Sequence, residues 1–213
     1  VKTLAQLGFI ALAASTVYGF VHAAQKDQRR STCTALCALS PAYAARDRLA
    51  PDFELSDTTG KSVKLSSLRG KTVVLNFWTK TCRPCLEEMP ALAELATVAA
   101  TERDLVVLTI STDETAQEAI DTLRVVLGGP APFQTLMDPD AKVVAEKFGT
   151  KLYPETWVID PTGIIRARFD GARDWSNPLA LDFLRMVGRP SGCPIEFASG
   201  TPTGDFAGIC GEE

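Results

Sequence analysis

Thr72-Val73-Val74-Leu75-Asn76-Phe77-Trp78-Thr79-Lys80-Thr81-Cys82-Arg83-Pro84-Cys85-Leu86-Glu87-Glu88-Met89-Pro90 decides how the rest of the chain is read. Its first seven residues are mostly β-branched or aromatic, the composition of a short buried strand. From Leu86 onward, Met89, Leu92, Leu95 and Val98 recur at helical spacing, which predicts one apolar helix face. Cys82 therefore falls where a strand meets a helix N-terminus, whose unpaired N–H groups and macrodipole favour a thiolate. Cys85 follows three residues later and is able to close a disulfide with it. Pro84 suits an early helical position, where its missing N–H costs nothing. The pattern points to a dithiol redox centre. Two other readings are an inert structural disulfide and half of a zinc site. Zinc would need four ligands; the chain has one histidine, His22, and although Cys33 and Cys37 would complete a four-thiolate set, nothing in the sequence places them beside Cys82.

Working outward, Phe53-Glu54-Leu55 and Ser62-Val63-Lys64-Leu65 alternate around Asp57-Thr58-Thr59-Gly60 and predict a hairpin. Ser66 to Gly70 reads as one helical turn stopped by glycine. Strand 72–78, helix 84–100, strand 105–111 and helix 114–127 then make a βαβα alternation. Leu105 to Ile110 is almost uninterrupted apolar sequence, as a doubly covered parallel strand requires. Ser111 or Asp113 is the expected cap of the next helix. A short strand is expected near Gln134 to Met137, and a helix opened by Asp138-Pro139 through about Phe148. Residues 156–160 and 164–169 flank Pro161-Thr162-Gly163 as an antiparallel hairpin, and a closing helix spans about 177–187. The fold class is α/β, a central mixed sheet with helices on both faces.

The 213 residues divide into four expected parts: a hydrophobic signal or anchor segment (1–24), a linker (25–49), a redox domain (50–188) and a cysteine-containing extension (189–213). Net charge is −4 with both signs interspersed and no basic patch, which argues against a nucleic-acid partner. Leu4 to Ala24 carries no charge and, at about 20 residues, is long enough to span a bilayer. Val21-His22-Ala23 also suits cleavage after Ala23, which would release the chain to the periplasm. Retention as an inner-membrane anchor is the preferred reading. Six cysteines fit an oxidising compartment such as the periplasm. They fall into neighbouring pairs, so Cys33/Cys37 and Cys193/Cys210 are candidate structural disulfides beside Cys82/Cys85.

Together, Ala50-Pro51-Asp52-Phe53, Leu65 to Lys71, Val74 to Trp78, Cys82 to Pro90, and Tyr153-Pro154-Glu155-Thr156 before Val158-Ile159-Asp160 carry a resemblance. Over roughly residues 50–188 the chain resembles membrane-anchored, extracytoplasmic TlpA/ResA-type thiol-disulfide oxidoreductases of the thioredoxin fold. Thr81 stands where that family commonly has an aromatic residue, and a minimal member lacks the Cys33/Cys37 pair and the Cys193/Cys210 extension.

The resemblance implies a thiol-disulfide oxidoreductase whose nucleophile is Cys82 and whose resolving thiol is Cys85, with no cofactor or metal beyond that redox-active disulfide. It implies that Pro154 is cis opposite the dithiol and that Tyr153 offers backbone hydrogen bonds to an extended substrate. An ordinary strand-entry proline is the plainer reading. Glu88, in a Cys-x-x-Cys-x-x-Glu pattern, would exchange the proton of the resolving thiol. A carboxylate placed early in a helix by the macrodipole alone would look the same. Trp78 is either packing or part of the substrate surface. Expected partners are protein disulfide or thiol substrates and a membrane thiol-disulfide electron donor, and the resemblance implies a reductant acting in cytochrome c biogenesis. Two alternatives are a peroxiredoxin-like thiol peroxidase and a non-catalytic metal-binding or assembly module. Thr79-x-x-Cys82 echoes the peroxidase pocket, but Leu75 occupies the position of its upstream proline.

Overall fold

The computed structural model describes residues 6, 8, 10–24 and 48–187, and the backbone of 196–198 and 201–203. Cys33, Cys37, Cys193 and Cys210 lie outside the described residues, as does most of the expected linker. Positions 10–24 are helical (α1) and exposed. Among the described residues no helix is long and apolar enough to cross a membrane.

The centre is β3 (Thr72–Trp78), every residue of which is buried. It pairs in parallel with β4 (Leu105–Ser111), and β4 pairs in parallel with β5 (Gln134–Met137). On its other side β3 meets β6 (Glu155–Ile159) antiparallel, and β6 continues into β7 (Ile165–Asp170). The five-stranded order is β5-β4-β3-β6-β7. A separate hairpin joins β1 (Glu54–Ser56) to β2 (Ser62–Lys64), and β8 (Glu196–Ala198) pairs with β9 (Thr201–Thr203).

Two apolar layers enclose the sheet. One contains Val74, Trp78, Val158 and Phe169 of the strands with α2 (Arg83–Ala99), α3 (Ala116–Leu127) and α4 (Pro178–Met186). Because alternate residues of a strand face opposite ways, Val73, Leu75 and Phe77 enter the other layer, against Phe53, Val63, Leu65, Val144 and Phe148. That second face is covered by the β1–β2 hairpin, a 3-10 turn at Leu65–Leu68 and a six-residue π-helical turn at Lys142–Lys147. Helices therefore lie on both faces as expected, but unequally: α2, α3 and α4 pack on one, and only the short 3-10 and π-helical segments on the other.

The expected helix over 138–148 shrinks for a local reason. The Asp138 carboxylate accepts the N–H groups of Val143 and Val144, at 2.9 and 2.8 Å, and Ala141 takes a left-handed φ of 53°. A chain bent this way cannot enter a regular helix at Pro139. The cap of α3 also differs from expectation. Thr115 Oγ1 accepts the Glu118 N–H, and the Glu118 side chain accepts the Thr115 N–H, a capping box in place of a Ser111 or Asp113 cap. In α2, Val98 is exposed while Ala96 and Ala99 turn inward.

Candidate active site

The all-buried β3 ends at Trp78, and a tight turn carries the chain to α2, the Cys82 N–H donating to the Thr79 carbonyl at 3.0 Å. Cys82 is the N-cap of α2, with Pro84 in its first positions. The Cys85 N–H points at Cys82 Sγ from 3.2 Å, so one of the helix's unpaired donors is aimed at the sulfur. Cys82 and Cys85 are joined as a disulfide. The two sulfurs differ in access: Cys82 is half-buried, whereas Cys85 is wholly buried beside Met89 and Trp175. An incoming thiol therefore meets Cys82 first. The Arg83 charge is engaged by Glu87 at 2.8 Å on the exposed side of the helix, and such a pair contributes little.

Glu88 lies one helical turn beyond Cys85 and is 3 % exposed. Its Oε1 accepts from Asn76 Nδ2 at 2.8 Å, and its Oε2 accepts from the Arg173 N–H at 3.0 Å and Trp175 Nε1 at 3.3 Å. Desolvation dominates these hydrogen bonds and lifts its pKa from 4.5 to about 7. Glu88 is outside the first turn, which holds no acid, and a carboxylate positioned for the macrodipole would be exposed and more acidic. A cleft of about 320 Å3, lined by Glu87, Glu88, Ala91, Ala172, Arg173 and Asp174, opens beside it. The carboxyl is thus shielded from bulk water yet within reach of it.

Asn76 was not expected at the site. It is the single strongly polar side chain in the wholly buried β3, donating to both Glu88 and Thr156 Oγ1, the latter at 2.9 Å. Its Oδ1 has no partner. The signal for it was available in the sequence: an amide inside an apolar central strand needs a buried polar partner. Trp175 and Arg173 had no comparable signal, since they reach Glu88 from the β7–α4 loop.

The Tyr153–Pro154 peptide is cis. Phe77 pairs with Glu155, so the antiparallel register continues Pro154 to Trp78 and Tyr153 to Thr79, beside the turn that carries Cys82. Pro154 itself is buried and Tyr153 half-buried. Together with Gly149, Leu152, Arg168 and Gly171 they line a groove of about 570 Å3. Trp78 requires a correction as a substrate-binding residue. It is fully buried, with its indole N–H 3.3 Å from Thr109 Oγ1, and offers no surface to a substrate. Among the described residues no group of three or more His, Cys, Asp or Glu side chains could hold a metal ion.

A half-exposed sulfur at a helix start, a buried second sulfur and a neighbouring cis-proline, all on a mixed five-stranded sheet, define a thioredoxin-like thiol-disulfide redox protein. The chain belongs to the AhpC/TSA family, whose pattern matches residues 47–168. It is similar to the thiol-disulfide oxidoreductase ResA of Bacillus thuringiensis, 35% identical over 118 residues, covering 47% of this chain and 68% of ResA. The chain spans about two thirds of the length of the curated relatives it matches. Among solved structures, a thiol:disulfide interchange protein DsbE from Chlorobium tepidum superposes with a TM-score of 0.59 at 27% identity, over 68% of this chain and 99% of that one. The exposed lipoprotein thioredoxin Etrx1 of Streptococcus pneumoniae does so with a TM-score of 0.52 at 31% identity, over 63% and 98%. These similarities put the chain among redox enzymes of the ResA/DsbE type.

Proposed function

We propose that this protein is an extracytoplasmic reductant of protein disulfides that works through Cys82 and Cys85. The observation that carries the reading is the unequal access of the two sulfurs, with a protonatable Glu88 behind the buried one. In the reduced enzyme the Cys82 thiolate attacks one sulfur of a substrate disulfide, forming a mixed disulfide and expelling the other sulfur as a thiolate. Cys85 then loses its proton, Glu88 being the acceptor, and its thiolate attacks Cys82 Sγ. The second substrate thiol leaves, the Cys82–Cys85 disulfide forms, and the substrate has gained two electrons. A membrane dithiol donor returns the enzyme to its reduced state. Tyr153 and Pro154 hold the substrate backbone along the groove beside the dithiol.

The apolar segment 4–24 would tether the domain on the outer side of the inner membrane. A similar protein in Streptococcus pneumoniae is an exposed lipoprotein. Haem-attachment cysteines of an apocytochrome c are the substrate class we favour. The pairs Cys33/Cys37 and Cys193/Cys210 are assigned structural disulfides suited to that compartment.

Trapping tests the reading. Cys85→Ala should accumulate mixed disulfides with extracytoplasmic proteins through Cys82, and their absence would contradict it. Direction follows from the midpoint potential: couples of this fold span roughly −270 to −120 mV, and a value at the upper end would replace the reductant by an oxidant. Rapid second-order consumption of peroxide by the reduced protein would instead favour a peroxidase.

A further inference from the structure

We propose that Asp113, in the connection between β4 and α3, is a positioning residue for Cys82. The inference rests on the reading of Cys82 as the attacking sulfur. Asp113 is 3 % exposed. A carboxylate hidden there would ordinarily cap the following helix, but Thr115 caps α3. Asp113 turns toward the dithiol loop instead. Its Oδ1 accepts from Thr79 Oγ1 at 2.7 Å and from the Lys80 N–H at 2.9 Å, and its Oδ2 accepts from Ser111 Oγ at 2.8 Å. One residue earlier, the Thr112 N–H donates to the Trp78 carbonyl at 3.2 Å. Lys80 Nζ pairs with Glu118, the capping-box acid of α3. The loop is therefore bonded to the β4–α3 connection at three consecutive residues, 78, 79 and 80.

The tether reaches the sulfur through one further bond, from the Cys82 N–H to the Thr79 carbonyl. Holding Thr79 and Lys80 fixes the turn, and the turn fixes Cys82 Sγ against the Cys85 N–H. Buried charge-assisted hydrogen bonds are among the stronger ones, and a buried carboxylate tolerates its position only while its donors stay in place. Loop and carboxylate therefore hold each other in one geometry. Releasing the loop should lengthen the N–H contact to Cys82 and weaken the stabilisation of its thiolate. The negative charge of Asp113 acts in the opposite sense, since its removal alone would favour the thiolate. The tether is assigned the larger effect because it acts on the geometry of the turn that holds Cys82, whereas the Asp113 charge, stabilised in place by three neutral donors, is not bonded to the sulfur.

Alkylation of Cys82 by iodoacetamide at fixed pH, on the reduced full-length protein, separates these effects. Asp113→Ala should slow alkylation about ten-fold, the loss of roughly one charge-assisted hydrogen bond's worth of orientation. Thr79→Val keeps the carboxylate and removes one tether, so it should slow alkylation about three-fold. The midpoint potential of the Asp113→Ala couple should fall by about 30 mV, which is a ten-fold shift toward the disulfide. Asp160→Asn, a change at another buried and hydrogen-bonded aspartate at the opposite end of the sheet, should leave Cys82 alkylation unchanged. Unchanged or faster alkylation in folded Asp113→Ala, or wild-type rates in Thr79→Val, would overturn the proposal. Equal slowing in Asp160→Asn would also overturn it, since the effect would then be general destabilisation. If wild-type Cys82 reacts no faster than a thiol in an unfolded peptide, the failure lies in the proposed function.

Discussion

Glu88 and Asp160 are hidden to the same extent, 3 % exposed each, and the protein treats them in opposite ways. Asp160 sits beyond β6 in the turn to β7, at the end of the sheet where Val73 pairs with Ile159. Burial pushes its pKa up, but hydrogen bonds from Thr162, the Ile164 N–H and Arg166 outweigh burial and leave it below the usual value. The Arg166 guanidinium lies 2.6 Å from Oδ2. Glu88, behind the dithiol at the other end, has three neutral donors and no such ion pair. Burial prevails there and its pKa rises to about 7. Equal burial thus gives a permanent charge that holds a turn and an acid that can exchange a proton near neutral pH. The difference is how strongly burial is answered: Arg166 pairs directly with Asp160, whereas the Arg173 charge acts on Glu88 only weakly and desolvation outweighs it.

The largest contrast expected between the two ends concerns the sulfurs. Cys82→Ser should lower disulfide exchange about a thousand-fold or more, because the buried Cys85 is not accessible to start the sequence in its place. Asp160→Ala should leave exchange near wild type in an insulin-reduction assay. The same Asp160→Ala should cost about 3 kcal/mol in urea unfolding, by stripping Arg166 and the turn N–H groups of their acceptor. Glu88→Gln inverts that pattern: exchange should fall about a hundred-fold, the usual worth of a general acid–base group, in a protein that still folds. Gln fits the space if Asn76 rotates its amide, so that the presently unpartnered Asn76 Oδ1 accepts from the new N–H2.

The smallest effect is the most diagnostic, since it has a sign. Glu88 is raised, so the folded protein binds more protons than the unfolded one between about pH 4.5 and 7. Its contribution therefore lowers stability as pH climbs through that window and is constant outside it. Glu88→Gln should be more stable than wild type at pH 8, by on the order of 2 kcal/mol, and no more stable at pH 4. Asp160 runs the other way. Its stabilisation is present above the unfolded value of about 3.9 and is lost as pH falls through its lower folded value. Denaturant midpoints of both variants across pH 3–8 check the pair.

Much of this was readable from the chain because strand signals were strong and local. The apolar runs at 72–78 and 105–110, the Pro-Thr-Gly turn at 161–163 and the Cys-x-x-Cys junction all correspond to observed features. What the sequence misread was decided by side chains that bond backbone groups out of the expected register. Asp138 diverts the N–H groups of Val143 and Val144 and so forestalls a long helix. Asp113 serves the dithiol loop and leaves the helix start to Thr115. The setting of Glu88 depends on Asn76, Arg173 and Trp175, two of them 85 or more positions away, and no local pattern encodes that encounter.

The account stands on Glu88 being an acid that changes protonation near neutral pH beside Cys85. Carboxyl 13C chemical shifts of glutamate-labelled protein, followed from pH 4 to 9, measure this directly. One carboxyl should titrate near pH 7 and be missing from Glu88→Gln. If every glutamate titrates near its ordinary value of about 4.3, the buried carboxyl holds no proton to exchange and the role assigned to it is wrong.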